Sequence, residues 1–335
     1  MNRLRVAVIG MGVMGRMHAA IYQHMPHVEL VATVEADPAR AHEASQQFAV
    51  PSYSSVEELL SMGSAFEAAS ICLPDHLHVD AAIRLAQAGV HLLVEKPLAT
   101  TLDGCDAIIA AAAERRLKLM VGFTLRFEPR YRLVWQAAKE GKLGDIVYQY
   151  ARRNNILASA RRLGGRVSLP FFLQVHDIDA MRWIGGSEVV SAYALSCRRV
   201  LTELGVDDAV ISLLRFADGS IGCIESNWVM PDSLPYRFDF RHEVVGTVGK
   251  ADIELADQGV SIHAGDRFHF PDPSFRGVLR PDEPLVLRME LEHFVECILD
   301  DRPPLPTGQD GRAATAVALA IERSLKEGTP VPVPG

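Results

Sequence analysis

The apolar run Leu4-Arg5-Val6-Ala7-Val8-Ile9 ends on Gly10-Met11-Gly12-Val13-Met14-Gly15, and a helical pattern follows over residues 13 to about 25. A buried strand, a G-x-G-x-x-G turn and a helix in that order constrain the chain to open with a nucleotide-binding βα unit. Gly10 permits the tight turn, Gly12 lets the backbone approach a pyrophosphate, and Gly15 lets the helix pack close to the strand. Val13 and Met14 complete the loop at the helix N-terminus, whose free N–H groups and partial positive charge suit phosphates.

A second apolar strand, Val28–Val34, closes on Glu35, about where a carboxylate accepts hydrogen bonds from an adenosine ribose. Asp37-Pro38 already supplies the cap and first residue of the next helix, which leaves Glu35 for the ribose. A carboxylate there repels a 2′-phosphate, so NAD is expected over NADP, with nearby Arg40 the one feature that argues the other way.

Strand and helix go on alternating to about residue 123. Ser54-Ser55-Val56-Glu57-Glu58 offers two overlapping capping boxes. Residues 69–73, 90–94 and 118–122 read as strands, and 79–88 and 102–115 as helices. The pattern predicts a parallel, doubly wound Rossmann sheet over residues 1–123, with ligands beyond the carboxyl ends of its strands. Gly10, Glu35, Leu73-Pro74 and Glu95-Lys96-Pro97 all fall at such ends. Pro97 keeps Lys96 out of the helical region, so the lysine is able to project from its strand end.

After a helix over 129 to about 140, the pattern changes. Residues 146–152, Val189–Cys197, Ala209–Phe216, 221–229 and 238–245 read as longer strands, several with two-residue alternation, and Asp218-Gly219 joins two of them as a hairpin. Residues 124–335 are therefore expected to form an α+β domain on a largely antiparallel open sheet. That domain is expected to bind substrate and to make a homodimer or homotetramer through its sheet. The helix over 309–326 is left open between this domain and a return to the first. The proline-rich stretches 271–284 and 303–306 read as loops.

A chain of 335 residues is long enough for both domains. A formal charge of -8 and the lack of a large basic block argue against a nucleic-acid partner. No apolar run is long enough to span a bilayer and the N-terminus has no leader pattern, so no membrane partner and a cytoplasmic location are expected. Cys72, Cys105, Cys197, Cys223 and Cys297 are scattered and read as reduced thiols. His76 and His78 lack a matching set of ligands, so no metal site is expected.

Further pieces carry a specific resemblance: Leu73-Pro74-Asp75-His76-Leu77-His78, Ala88-Gly89-Val90-His91 leading to Glu95-Lys96-Pro97, Arg126-Phe127 with Tyr131, and His176-Asp177-Ile178-Asp179 followed by Trp183. Glu243-Val244-Val245-Gly246-Thr247 and Gly249 extend it towards the end. Over essentially its full length the chain resembles the glucose-fructose oxidoreductase, inositol dehydrogenase and rhizopine catabolism family, written Gfo/Idh/MocA. The resemblance implies oxidation of a ring hydroxyl on a sugar or cyclitol, or the reverse reduction, with NAD or NADP. It implies Lys96 as the catalytic lysine and His176 as substrate ligand and proton-relay group. It also draws His78, Glu95, Thr124 and Arg126 into the cofactor site, beside the glycine loop, Glu35 and Leu73-Pro74.

The chemistry agrees. Oxidising a secondary alcohol needs a group within hydrogen-bond reach to take the hydroxyl proton, and Lys96 suits if burial and the positive oxidised ring lower its pKa. Asp179, on the same helical face as His176, reads as a residue that ties the helix down. Three positions depart from the family pattern. Phe172 stands four residues before His176 where an aspartate is common, Gln174 where a glycine is common, and Thr124 where an asparagine is common. Phe172 is expected either to wall the substrate or to fill the core. Arg153 and Phe172 join Lys96 and His176 as substrate-binding candidates, while Arg161, Arg162 and Arg166 read as surface and Trp228 and Tyr236 as packing. Two other functions stay open: a redox-neutral lyase or glycosidase-like cycle with transient oxidation by tightly bound NAD, and a non-catalytic NAD(H)-binding regulator.

Overall fold

The computed structural model describes residues 3–61, 63, 66–236, 238–254, 262–264, 267–269 and 283–335. The expected loop over 271–284 lies outside them except for its last two residues. The first elements are β1 (Leu4–Ile9), α1 (Val13–Gln23), β2 (Val28–Val34), α2 (Pro38–Phe48), β3 (Ser52–Tyr53), α3 (Val56–Ser61), β4 (Ala68–Ile71), α4 (His78–Gln87), β5 (His91–Glu95), α5 (Leu102–Glu114) and β6 (Leu119–Gly122). Their strands form one parallel sheet in the order β3-β2-β1-β4-β5-β6. This is the doubly wound sheet expected, its direction of winding switching between β1 and β4. β4 is buried at every residue and β5 at all but its first, the reason these strands are apolar throughout instead of alternating.

Local chemistry sets the helix starts. Asp37 accepts the Arg40 N–H at 2.9 Å, with Pro38 opening α2. Before α3, Ser55 Oγ accepts the Glu58 N–H at 3.1 Å, half of an expected capping box, while the Glu58 carboxylate reaches past Ser55 to the Ser54 N–H at 2.7 Å. Glu57 turns instead to Arg84, 2.9 Å away.

There follow α6 (Pro129–Lys139), β7 (Ile146–Ile156), α7 (Leu157–Leu163), α8 (Val175–Gly185), β8 (Val189–Cys197), β9 (Ala209–Phe216), β10 (Ile221–Met230), β11 (Phe238–Gly246), β12 (Lys250–Glu254), β13 (Ile262–Ala264) and β14 (Arg267–His269). The last elements are α9 (Leu285–Leu299), α10 (Gly308–Glu327) and β15 (Val331–Pro332). The second sheet runs β12-β11-β7-β10-β9-β8-β15; β7 and β10 pair parallel and the other neighbours antiparallel. β9 and β10 bury every second residue along most of their length, so one face is covered and the other open. The stretch that carries Arg161 and Arg162 is α7, where Asn155 Oδ1 accepts the Ser159 hydroxyl at 3.0 Å.

The chain divides into two compact units: Met1–Phe127 with the described part of Pro273–Arg312, and the described part of Glu128–Asp272 with Ala313–Gly335. The first unit runs a few residues past the expected boundary at 123 and takes in a late segment, the return left open for the helix over 309–326. Val286, Leu287, Leu291, Phe294 and Val295 of α9 join the core that holds Val6, Val8, Tyr22, Leu93 and Phe127. The first turn of α10 belongs there as well: a Cβ on Gly308 would lie 2.7 Å from Leu119 and one on Gly311 2.9 Å from Leu98, and Arg312 pairs with Asp106 at 2.6 Å. From Ala313 onwards α10 belongs to the second unit, where Ser324 Oγ accepts the Ala194 N–H at 3.0 Å.

Candidate active site

In the first unit the glycine loop has the stereochemistry its sequence demands. Gly10 has φ +91°, and a Cβ there would press on the Cys72 carbonyl at 2.9 Å. A Cβ on Gly15 would lie 1.8 Å from the Gly10 carbonyl oxygen, so α1 approaches the turn only without a side chain. Gly12, at the N-cap of α1, makes no side-chain cap bond, and a Cβ on it would meet nothing within 4 Å. Uncapped N–H groups facing open space are what a pyrophosphate requires, so the loop fits a dinucleotide. Val13 is exposed, and Met14 packs partly against the core.

Glu35 lies at the end of β2, 8% exposed. It is also an internal brace: one oxygen accepts the Met11 N–H at 3.1 Å, the other the Asp37 N–H at 3.0 Å and Arg40 Nη2 at 2.9 Å. Its hold on Met11 orders the glycine loop itself, a role that sequence spacing does not reveal. Leu73 is half-buried and Pro74 exposed, just past β4.

His78, expected in the cofactor site, has a buried ring, with Nδ1 2.9 Å from the Pro97 carbonyl and Nε2 2.9 Å from the Leu73 carbonyl. It therefore ties the turn after β4 to the turn after β5. Burial lowers its pKa, against the two carbonyls that draw it up.

Glu95, also expected in the cofactor site, has a protein partner too. Its carboxylate turns into the core, 7% exposed, and lies 3.1 Å from His18 Nε2. Gly122 on the neighbouring strand leaves it room, since a Cβ there would come within 3.3 Å of the carboxyl. Lys96 follows at once, half-buried, beyond the last residue of β5 and joined to Pro97 by a cis peptide bond.

A 3₁₀ turn, Thr124–Phe127, carries the other two predicted cofactor residues. Thr124 is half-buried. Arg126 is 8% exposed, and its Nη2 donates to Asp310 at 2.8 Å. Asp310 in turn accepts from the Thr307 N–H and hydroxyl at 2.8 and 2.7 Å. Burial works against the Asp310 charge, but Arg126 and Thr307 outweigh it and hold the pKa below the usual carboxylate range.

In the second unit His176 is half-buried in the first turn of α8, which ends at left-handed Gly186. Before it, Pro170–Gln174 is a π turn, with the Val175 N–H reaching the Pro170 carbonyl. Phe172, four residues before His176, therefore does not stand one regular α-helical turn from it. Phe172 packs at a tilt on Trp228, ring centroids 6.1 Å apart, and Trp228 is buried with its indole N–H donating to Asp207 O at 2.8 Å. Gln174 has a purpose as well: it accepts from Ser212 Oγ at 2.8 Å and donates to Val210 O at 3.2 Å, pinning the helix start to β9. Asp179 is buried 3.8 Å from Arg182 of the same helix.

Arg153, expected to bind substrate, is engaged by Asp177. It is 3% exposed, grips Asp177 of α8 through Nε at 2.6 Å and Nη2 at 2.9 Å, and lies 4.0 Å from the Phe240 ring centroid. Burial raises the Asp177 pKa, Arg153 draws it back, and the two short bonds mark a bidentate ion pair.

Residues 4–123 match the family model for an "Oxidoreductase family, NAD-binding Rossmann fold", and residues 131–252 match the "GFO/IDH/MocA C-terminal domain". Among curated proteins the chain is 27% identical to scyllo-inositol 2-dehydrogenase (NAD(+)) of Bacillus subtilis (strain 168), over 98% of this chain and 96% of that one. It is also 27% identical to UDP-N-acetylglucosamine 3-dehydrogenase of Acidithiobacillus ferrooxidans, over 96% and 97%. The fold is shared with scyllo-inositol dehydrogenase from Lactobacillus casei, solved with NAD(H) and scyllo-inositol: TM-score 0.88, 22% identity, 99% of each chain.

Proposed function

Because the chain belongs to the GFO/IDH/MocA oxidoreductase family, we propose that it is an NAD-dependent dehydrogenase acting on a ring CH–OH of a cyclitol or sugar. The observation that carries this reading is Lys96 at the carboxyl end of β5, in the same parallel sheet whose β1 ends on the glycine loop. Bound NAD would supply the hydride acceptor. Gly10, Gly12 and Gly15 with the α1 N-terminus would hold its pyrophosphate, and Glu35 its adenosine ribose. Lys96, as the neutral amine, takes the proton of the reacting hydroxyl, and His176 binds the substrate and relays that proton. Glu35 favours NAD, since its carboxylate repels a 2′-phosphate and its contact with Arg40 at 2.9 Å occupies a nearby cation that would otherwise attract it.

The test is a screen of inositols, monosaccharides and sugar nucleotides with NAD and with NADP, following reduced-ring absorbance and substrate loss separately. The expected result is NADH formation on a polyhydroxylated ring, with kcat/KM at least about tenfold higher for NAD than NADP, from like-charge repulsion at Glu35. Substrate loss without NADH would replace the dehydrogenase with a redox-neutral cycle. NADH binding without turnover on any ring would replace it with a regulator.

The open face of the second sheet supports a second copy of this chain as partner. Leu195, Ile211, Leu213 and Ile221 are each at least half exposed there, and Leu195 sits opposite Ile211 in the β8–β9 ladder. On the same face Arg152 pairs with Asp239 at 2.8 Å and Lys250 with Glu243 at 2.9 Å, so its charges are largely matched and an apolar strip is left to cover. Light scattering should report a dimer or tetramer that Leu213→Glu dissociates; a wild-type monomer at micromolar concentration would end this reading.

A further inference from the structure

Three ionisable side chains from three elements meet in the core of the first unit: His18 of α1, Glu95 of β5 and Glu290 of α9. Their nearest ring nitrogen and carboxyl oxygens all lie within 4.8 Å of one another, and none of the three is more than 7% exposed. His18 Nε2 and Glu95 are 3.1 Å apart, yet neither oxygen of Glu290 has a hydrogen-bond partner among the described residues. Two bare carboxylates this close, away from water, would repel each other and each forgo solvation.

Something must neutralise one of them. His18 is poorly placed to do so, because its Nδ1 meets no partner among the described residues and a second ring proton would itself be buried and unpaired. A divalent ion held by the three meets the same objection, since a ligating histidine is ordinarily anchored through its other nitrogen. A proton on Glu290 answers every count. It removes the charge and turns one bare oxygen into a donor within 4.8 Å of the Glu95 carboxyl. Burial, and then the neighbouring Glu95 charge, push the Glu290 carboxyl far up, the direction that retains the proton. The other titratable groups facing it, Tyr22 of α1 and Cys72 after β4, are themselves pushed up by burial and bring no positive charge.

We propose that Glu290 is a neutral carboxylic acid that shares its proton with Glu95 and thereby acts as a positioning residue for Lys96. The positioning role rests on the dehydrogenase reading above; the protonation does not. Held from α1 by His18 and from α9 by Glu290, Glu95 fixes the end of β5 from which Lys96 follows.

Infrared difference spectra of the full-length protein at neutral pH, wild type minus Glu290→Gln, should show the carbonyl stretch of one protonated carboxylic acid. Carboxylate bands alone would overturn the proposal, as would metal analysis finding one divalent ion per chain in wild type and none in the variant. Glu290→Leu removes the donor without leaving a charge, and should lower kcat about 10- to 100-fold, the loss of one charge-assisted hydrogen bond, with KM for NAD little changed. Glu290→Gln still donates and should recover most of that rate. An unchanged rate in the leucine variant, or equal losses in both, overturns the positioning role. A wild-type protein that turns over no polyol refutes the functional reading instead, and the infrared measurement still decides the proton.

Discussion

Lys96→Met is expected to lower turnover by roughly 10²–10⁴-fold while NAD still binds, the usual weight of a general acid–base group. Methionine keeps the length and much of the apolar stem of lysine but has no proton to take or give. The prediction is sharper than sequence alone allowed, because the structure removes the competing ionisable groups at neighbouring strand ends. Glu95 turns inward to His18, His78 is spent on two backbone carbonyls, and Arg126 is paired with Asp310. Titrating NADH fluorescence alongside steady-state turnover separates the two effects. Turnover within a few-fold of wild type would remove Lys96 from the chemistry, and loss of NADH binding would make it a structural or cofactor residue.

Arg153→Met should cost about 3–5 kcal/mol of stability, because it strands Asp177 as an uncompensated buried charge. Asp177 is wholly buried and takes two bonds from this one guanidinium, so nothing else on the helix stands in for it. The melting temperature should fall on the order of 10 °C. Adding Asp177→Leu should restore most of the loss, since replacing both partners of a buried pair with apolar groups is often neutral or better. A substrate-binding Arg153, as the sequence suggested, would behave in the opposite way: a raised KM at an unmoved melting temperature. Denaturation of the single and double variants, with KM measured on the same samples, distinguishes the two roles.

The two outcomes mark where sequence reasoning succeeded and where it stopped. The glycine loop, the Asp37 cap, the α8 stop at Gly186 and the alternating strands of the second sheet were legible because each depends on residues adjacent in the chain. Backbone sterics and short-range hydrogen bonds decide them before any tertiary contact forms. The turn before His176 was not legible in the same way, because its π hydrogen bond widens the helical repeat.

The sequence by itself determined a Rossmann unit followed by a largely antiparallel sheet, the family, and the strand end on which Lys96 sits. Tertiary structure alone decided what its polar residues are for. Arg153, His78, Glu95 and Arg126 all read as ligand-facing, and each is committed to a protein partner between 19 and 184 residues away. A charged residue at a strand end looks the same in sequence whether it meets a ligand or a buried counter-charge. Only the fold brings α9 back to the first unit and sets Glu290 against Glu95, because desolvation and pairing depend on distance in space, which spacing along the chain does not encode.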